Sequence, residues 1–253
     1  MLLRAGRDFL DAWIVPGKLQ PARKVQRRTR LLLVDDHPMV RERLAELINR
    51  EPDLAVCAEA EDRHQAIEAI QARRPDLVIV DITLKNSDGM ELIKDIHSRW
   101  PGLLVLVLSM HDESLYAERV LRAGARGYIT KQEATRSILR AIRRVLEGQI
   151  FLNENIASQI LGRLTAPRAA VTASPVESLA DRELQVFELT GRGLNTRQIA
   201  EQLHIGVKTV ETYRHRIRQK LKLEHPTELL RLAIAWAHHG SSEPDEGRKP
   251  NSG

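Results

Sequence analysis

Between residues 31 and 150 the chain alternates five times between a short apolar run with no helical period and an amphipathic stretch that has one. LLLV (31–34) precedes residues 39–50, LAVCAEA (54–60) precedes HQAIEAIQARR, and LVIV (77–80) precedes GMELIKDIHSRW. LLVLVLS (103–109) then precedes SLYAERVLRAGA, and RGYIT (126–130) precedes TRSILRAIRRVLEG. The apolar runs are bounded by turn signals and rich in Val, Ile and Leu, so they read as strands covered on both faces. Pro or Gly bounds each helical stretch, in agreement with terminator chemistry. Five βα units joined by right-handed crossovers predict an α/β fold: a five-stranded doubly wound parallel sheet with helices on both sides.

Polar residues gather where these strands end. The first ends in Asp35 and Asp36, the third in Asp81, the fourth in Ser109, and Lys131 follows the fifth by one residue. Taken alone, Asp81 reads equally well as the start of the turn that contains Asn86, Ser87, Asp88 and Gly89. Together, these residues fall on the carboxyl edge of the sheet, where ligands of open α/β folds bind. Three adjacent carboxylates repel unless a cation stands among them, and an all-oxygen donor set in an open crevice favours Mg2+. Beside Mg2+ and the ammonium of Lys131, a carboxylate is a competent nucleophile toward a phosphoryl group, with the Ser109 hydroxyl donating to one of its oxygens. The chemistry does not by itself choose among the three acids.

Asp35-Asp36, Asp81 followed eight residues later by Gly89, Ser109, and Gly-Tyr-Ile-Thr-Lys (127–131) resemble the receiver domain of two-component response regulators over residues 31–150. The resemblance implies that Asp81 is the phosphoacceptor. It also implies that Asp35, Asp36, Asp81 and the backbone carbonyl of Thr83 form the Mg2+ site, that Ser109 and Lys131 contact the phosphoryl oxygens, and that Tyr128 is the switch aromatic. Gln132 departs from the pattern, because many receivers carry Pro there after a cis bond, and a cis bond before a non-proline residue costs about 2.5–4 kcal/mol. Two plainer readings compete: Tyr128 as ordinary packing, and a degenerate receiver that keeps the fold without taking phosphate. A phosphatase with an aspartate nucleophile would need an acid two residues after Asp81, where Thr83 stands.

Charge is divided unevenly along the chain. Residues 1–30 carry eight Lys/Arg and two acids, residues 31–152 carry 17 and 20, and residues 153–253 carry 14 and 12. The slightly acidic middle argues against one continuous nucleic-acid surface and for a division of labour. Residues 1–30 form a basic extension that is expected to be disordered, or to lie upstream of the true start. Residues 151–178 are a linker region whose Ala/Pro/Thr/Ser stretch (164–178) breaks the periodicity, and residues 240–253 are expected to be a disordered polar tail. The single cysteine, Cys57, fits a reducing cytoplasm and reads as a small core residue on a strand, with a reactive thiol as the alternative. No apolar run approaches the ~20 residues of a membrane span.

Residues 179–239 return only helical periods, which predicts a small all-α domain of four helices. In VKTVETYRHRIRQKLKL, Val210, Tyr213, Ile217 and Leu221 share one face, while residues 207–222 hold six Lys/Arg and one acid. That concentration suits a phosphate backbone better than a merely solvated face. TRQIAEQLHIG before it supplies a short helix and a turn, completing a helix-turn-helix. Leu179, Arg182, Glu183, Gly193, Thr196, Ile199, Ala200 and residues 208–214 are similar to the LuxR-type output domain of NarL/FixJ-like regulators. Ala180 stands where that family often has a Thr N-cap, a change costing ~1 kcal/mol unless Ser178 or Asp181 caps instead. Expected groove contacts are Lys208, Thr209, Glu211, Thr212, His215 and Arg216, with Asn195, Thr196 and Arg197 near phosphates. The apolar last helix, LLRLAIAWA, occupies the place of the family's dimer seam.

These resemblances imply a cytoplasmic transcription regulator that a sensor histidine kinase phosphorylates and that binds double-stranded DNA as a homodimer. Its expected chemistry is limited to self-phosphorylation from a donor and slow self-dephosphorylation. The alternative is a phospho-relay or protein-interaction module whose helical domain does not bind DNA.

Overall fold

The computed structural model describes residues 27–84, 87–109, 114–165 and 175–239. The sequence expectations for residues 1–26 and 240–253, for the middle of the linker and for the turn at Asn86 lie outside these residues. Five strands form the sheet: β1 (Thr29–Val34), β2 (Leu54–Ala60), β3 (Leu77–Asp81), β6 (Leu104–Ser109) and β7 (Gly127–Thr130). Their order is β2-β1-β3-β6-β7, and every pairing is parallel. Helices α1 (Pro38–Asn49), α2 (Arg63–Arg73), α3 (Gly89–Arg99), α4 (Ser114–Arg122) and α5 (Lys131–Leu146) connect or follow them. A short antiparallel pair, β4 (Thr83–Leu84) with β5 (Ser87–Asp88), leads from β3 into α3.

The alternation of side chains along each strand divides the core in two. Leu32, Val34, Val78, Val80, Val105 and Val107 face α2, α3 and α4, whereas Leu31, Leu33, Leu77, Ile79, Leu106 and Leu108 face α1 and α5. All twelve are essentially inaccessible to solvent, and each contributes about 1.5–3 kcal/mol by burial. Because both faces are covered, the strands read as unbroken apolar runs rather than as alternating ones.

β1 starts at Thr29, two residues earlier than the sequence suggests. Thr29 N–H donates to the Asp53 carbonyl at 2.8 Å, and Arg30 N–H to Asp76 Oδ2 at 2.8 Å. Cys57 lies on a strand as expected but is only half-buried, because β2 is the sheet edge.

A helix not assigned from the sequence, α6 (Glu154–Thr165), lies within the linker region and packs against α4. Asn153 Oδ1 accepts from Ile156 N–H at 2.8 Å at its start, and Ile156 is buried. Beyond it, α7 (Asp181–Gly191), α8 (Thr196–Gln202), α9 (Val207–Leu221) and α10 (Pro226–His239) make the four expected helices. α7 packs on both α9 and α10, where Phe187 and Trp236 meet edge-to-face at 5.6 Å. Ala180, before α7, makes no side-chain cap, and the Ser178 hydroxyl donates instead to the Pro175 carbonyl. Glu183 compensates in part: its carboxylate accepts from Ala180 N–H at 2.8 Å and pairs with Lys220 at 2.6 Å.

Candidate functional site

The sheet order reverses direction between β1 and β3, and the acidic residues stand at the carboxyl ends of those two strands. A crevice opens at such a switch point because the connections leave it toward opposite faces. Asp35, Asp36 and Asp81, with His37, bring one ligand atom each to within 4.8 Å of one another. Lys131 Nζ bridges them, 2.6 Å from Asp81 Oδ2 and 2.7 Å from Asp35 Oδ2. Thr83 N–H donates to the other oxygen of Asp81 at 3.1 Å.

Lys131 owes its position to its place as the first residue of α5, where the Thr130 hydroxyl caps the helix by accepting from Glu133 N–H at 3.2 Å. The Lys131–Gln132 junction therefore lies in a helical first turn, and no peptide bond among the described residues is cis. Ser109 ends β6 beside Thr130 in register and is fully buried, as is Tyr128 on β7. The close approach of α3 to β3 requires glycine at position 89, where a Cβ would stand 2.2 Å from the Asp81 carbonyl oxygen.

Burial dominates the electrostatics. It raises Asp81 to about 6; the neighbouring Lys131 charge opposes the rise and the Asp35 charge adds to it. Asp81 remains ionised at neutral pH. Burial pulls Lys131 down, but Asp81 and Asp35 outweigh it and hold the ammonium above its usual value.

Three carboxylates against one ammonium leave an excess of negative charge in the crevice. Asp35 Oδ2 and Asp36 Oδ1 also lack a well-directed hydrogen bond, although Lys131 and His37 stand 2.7 Å away. This donor set, hard and anionic with oxygens to spare, fits a divalent cation such as Mg2+. Bound there, Mg2+ would supply charge stabilisation to an incoming phosphoryl group.

Two residues that the sequence reading did not single out support the crevice. His37 N–H donates to Asp35 Oδ1 at 2.8 Å. Arg41, buried on α1, donates to the Asp35 carbonyl at 2.5 Å and reaches Glu59 at 3.3 Å and Glu61 at 3.1 Å. The available signal was an Arg in register with Leu44 and Ile48 on the apolar face of the helix, because Arg is seldom buried unless it is paired.

On the helical domain, Lys208, Thr209, Glu211, Thr212, His215 and Arg216 are all exposed on α9, while Val210, Ile217 and Leu221 are buried behind them. Asn195 caps α8, its side chain accepting from Gln198 N–H at 3.0 Å, and Arg197 is exposed in the first turn. Thr196 is partly engaged, since its hydroxyl accepts from Arg214 at 2.9 Å. Arg214, which closes the LuxR-like motif at 208–214 but was given no role from the sequence, donates further to Thr190 Oγ1 and to the Leu194 carbonyl, both at 3.2 Å, and so ties α9 to the elements before it.

Fold and site together define a regulator with an acidic input domain and a helix-turn-helix output domain. Residues 31–143 match the response regulator receiver domain, and residues 177–233 match the bacterial regulatory proteins of the luxR family. The transcriptional activator protein ExaE of Pseudomonas putida is 35% identical over 204 residues, which cover 81% of this chain and 95% of that one. The DNA-binding transcriptional activator DevR/DosR of Mycobacterium tuberculosis is 33% identical over 199 residues, covering 79% of this chain and 91% of that one. Among solved structures, a LuxR-family two-component response regulator from Aurantimonas sp. is 35% identical, with a TM-score of 0.52 over 55% of this chain and 99% of that one. RcsB from Salmonella enterica serovar Typhimurium, bound to promoter rprA, shares the fold at 24% identity and a TM-score of 0.54, over 82% of this chain and 98% of that one. The chain belongs to the NarL/FixJ-like response regulators, in which a receiver domain is joined to a LuxR-type DNA-binding domain.

Proposed function

We propose that Asp81 accepts a phosphoryl group from a sensor histidine kinase in an Mg2+-dependent reaction, and that this promotes dimerisation and promoter binding by the C-terminal domain. The bond from phosphorus to the donor breaks as a bond to an Asp81 carboxylate oxygen forms. Asp35, Asp36, Asp81 and the Thr83 carbonyl are the proposed metal ligands, Lys131 and Ser109 the phosphoryl contacts, and Tyr128 the side chain that responds to them. The observation that carries the reading is the Lys131 ammonium held between Asp81 and Asp35, which neutralises charge where a phosphoryl group would arrive. On DNA, the exposed residues of α9 enter the major groove, with Asn195, Thr196 and Arg197 near the backbone. α10 leaves Leu230 and Ile234, one helical turn apart, 41% and 37% exposed, an apolar patch suited to pairing two copies. No helix among the described residues is long and apolar enough to cross a membrane, and we place the protein in the cytoplasm.

The test is labelling by a small phosphate donor of the intact protein and of Asp81→Asn, read together with DNA affinity at two salt concentrations. Labelling of the wild type alone, and DNA binding that weakens steeply with salt, are expected. Labelling that survives Asp81→Asn sinks the site assignment. DNA binding that is absent or indifferent to salt favours a protein-interaction role for the helical domain.

A further inference from the structure

A seam of charged contacts joins the two domains along the carboxyl edge of the sheet. Arg182, in the first turn of α7, pairs with Asp88 at 3.2 Å and donates to the Ser87 carbonyl. Asp181 accepts from Arg119 of α4 at 2.9 Å and from Lys94 of α3 at 3.1 Å. At the far end of the seam, His204 Nε2 lies 3.0 Å from Asp36 Oδ2, and the Asp36 side chain is only 4% exposed. His204 belongs to the turn between α8 and α9 and holds a left-handed backbone, with φ of +51°. The reading residues of α9 stay exposed in this arrangement. The seam therefore leaves the DNA surface open and covers the acidic crevice instead.

Asp36 thus meets His37 of its own loop at Oδ1 and His204 of the output domain at Oδ2, and the metal would contend with the latter. Mg2+ requires near-octahedral oxygen ligands at about 2.0–2.1 Å and keeps several waters, which need the space beside the carboxylate that the imidazole fills. We infer that Mg2+ and the turn of the helix-turn-helix compete for Asp36, so that metal loading releases the output domain from the receiver before any phosphate is transferred. The inference rests on the Mg2+ reading of the crevice. Linkage makes the effect reciprocal: docking weakens metal binding by the same factor by which metal weakens docking, so a variant that undocks the domains binds metal more tightly.

Calorimetric Mg2+ titration of the full chain tests this, comparing wild type with His204→Gly and Arg182→Gln. Glycine removes the imidazole and suits the left-handed backbone, while Arg182→Gln weakens the seam without touching Asp36. Both variants are expected to bind Mg2+ at least about fivefold more tightly than wild type, the lower end of ordinary site-to-site coupling. Small-angle scattering is expected to show the wild-type radius of gyration rising, at saturating Mg2+, to that of His204→Gly. Equal Mg2+ affinity in wild type and His204→Gly, or a wild-type radius unmoved by saturating Mg2+, overturns the inference while leaving the metal site intact. Tightening in His204→Gly alone reduces the effect to local charge and overturns the role of docking. Absence of Mg2+ binding in all three proteins overturns the metal reading and the inference with it.

Discussion

Replacing Lys131 with Met keeps a stem of similar length and removes the charge that holds the crevice together. The ammonium stands 2.6 Å from Asp81 and 2.7 Å from Asp35, and all three side chains are at most 8% exposed. Removing one partner from such a buried group leaves uncompensated charge, at a cost of about 3–5 kcal/mol. That cost depends on pH in a definite direction. Burial already raises Asp81 to about 6 in the folded protein against the pull of Lys131, so loss of the lysine raises it further above its unfolded value. A carboxyl group of this kind contributes stability that is fully present at acid pH and is lost as the pH climbs through the folded pKa. The deficit of Lys131→Met is therefore expected to be smallest near about pH 5 and to grow steadily toward about pH 8 as Asp81 ionises. Mg2+ should recover part of it by supplying positive charge among the same carboxylates. Urea unfolding read by pulsed hydrogen exchange on peptides from β1, β3 and β6 measures the receiver alone. Equal midpoints for wild type and variant at the higher pH without Mg2+ would refute the argument, and a deficit that grows toward acid pH would reverse its sign.

Gly89→Ala puts a methyl group 2.2 Å from the Asp81 carbonyl and 2.7 Å from Ile82 Cα, both backbone atoms, so phosphate labelling should be largely lost; wild-type labelling would contradict the packing argument. Arg214→Met leaves the Thr196, Thr190 and Leu194 acceptors without their donor. The output domain should lose about 2–3 kcal/mol, measured as faster hydrogen exchange in α8 and α9, and unchanged exchange would rule out the bracing role. Lys208→Ala and Arg216→Ala should each lower the slope of log DNA affinity against log salt by roughly one if the side chain meets a phosphate, while a base contact should alter sequence preference instead. Ile234→Glu, on the exposed apolar patch that α10 forms with Leu230, should abolish dimers of the phosphorylated protein in sedimentation, and persistence of the dimer would move the seam elsewhere.

Much of the receiver was legible because its strands are covered on both faces, so burial is written as uninterrupted apolar runs such as LVIV. The parallel topology then carries the residue that ends each run to one edge, which is why Asp35, Asp36, Asp81 and Ser109 could be grouped from their places in the chain. α6 was hidden within a linker because its apolar face is short and the Ala/Pro-rich stretch follows directly. Ala180 gave a clear signal of a missing cap, but its remedy, Glu183 accepting from the Ala180 amide, depends on the local turn.

The sequence by itself determined the alternation of elements, the acids and lysine of the crevice, and the two faces of α9, since each follows from periodicity or from the position of a residue at the end of an apolar run. Only the tertiary structure decided what Arg41, Arg182, His204 and Arg214 do. Each of these side chains meets partners from other elements, and an exposed or amphipathic position in the sequence carries no record of which distant carboxylate or carbonyl will stand opposite. His204 lies 168 positions from Asp36 in the chain and 3.0 Å from it in space. Local periodicity fixes where a side chain points from its own helix or strand, but the docking of one domain on the other fixes what it touches.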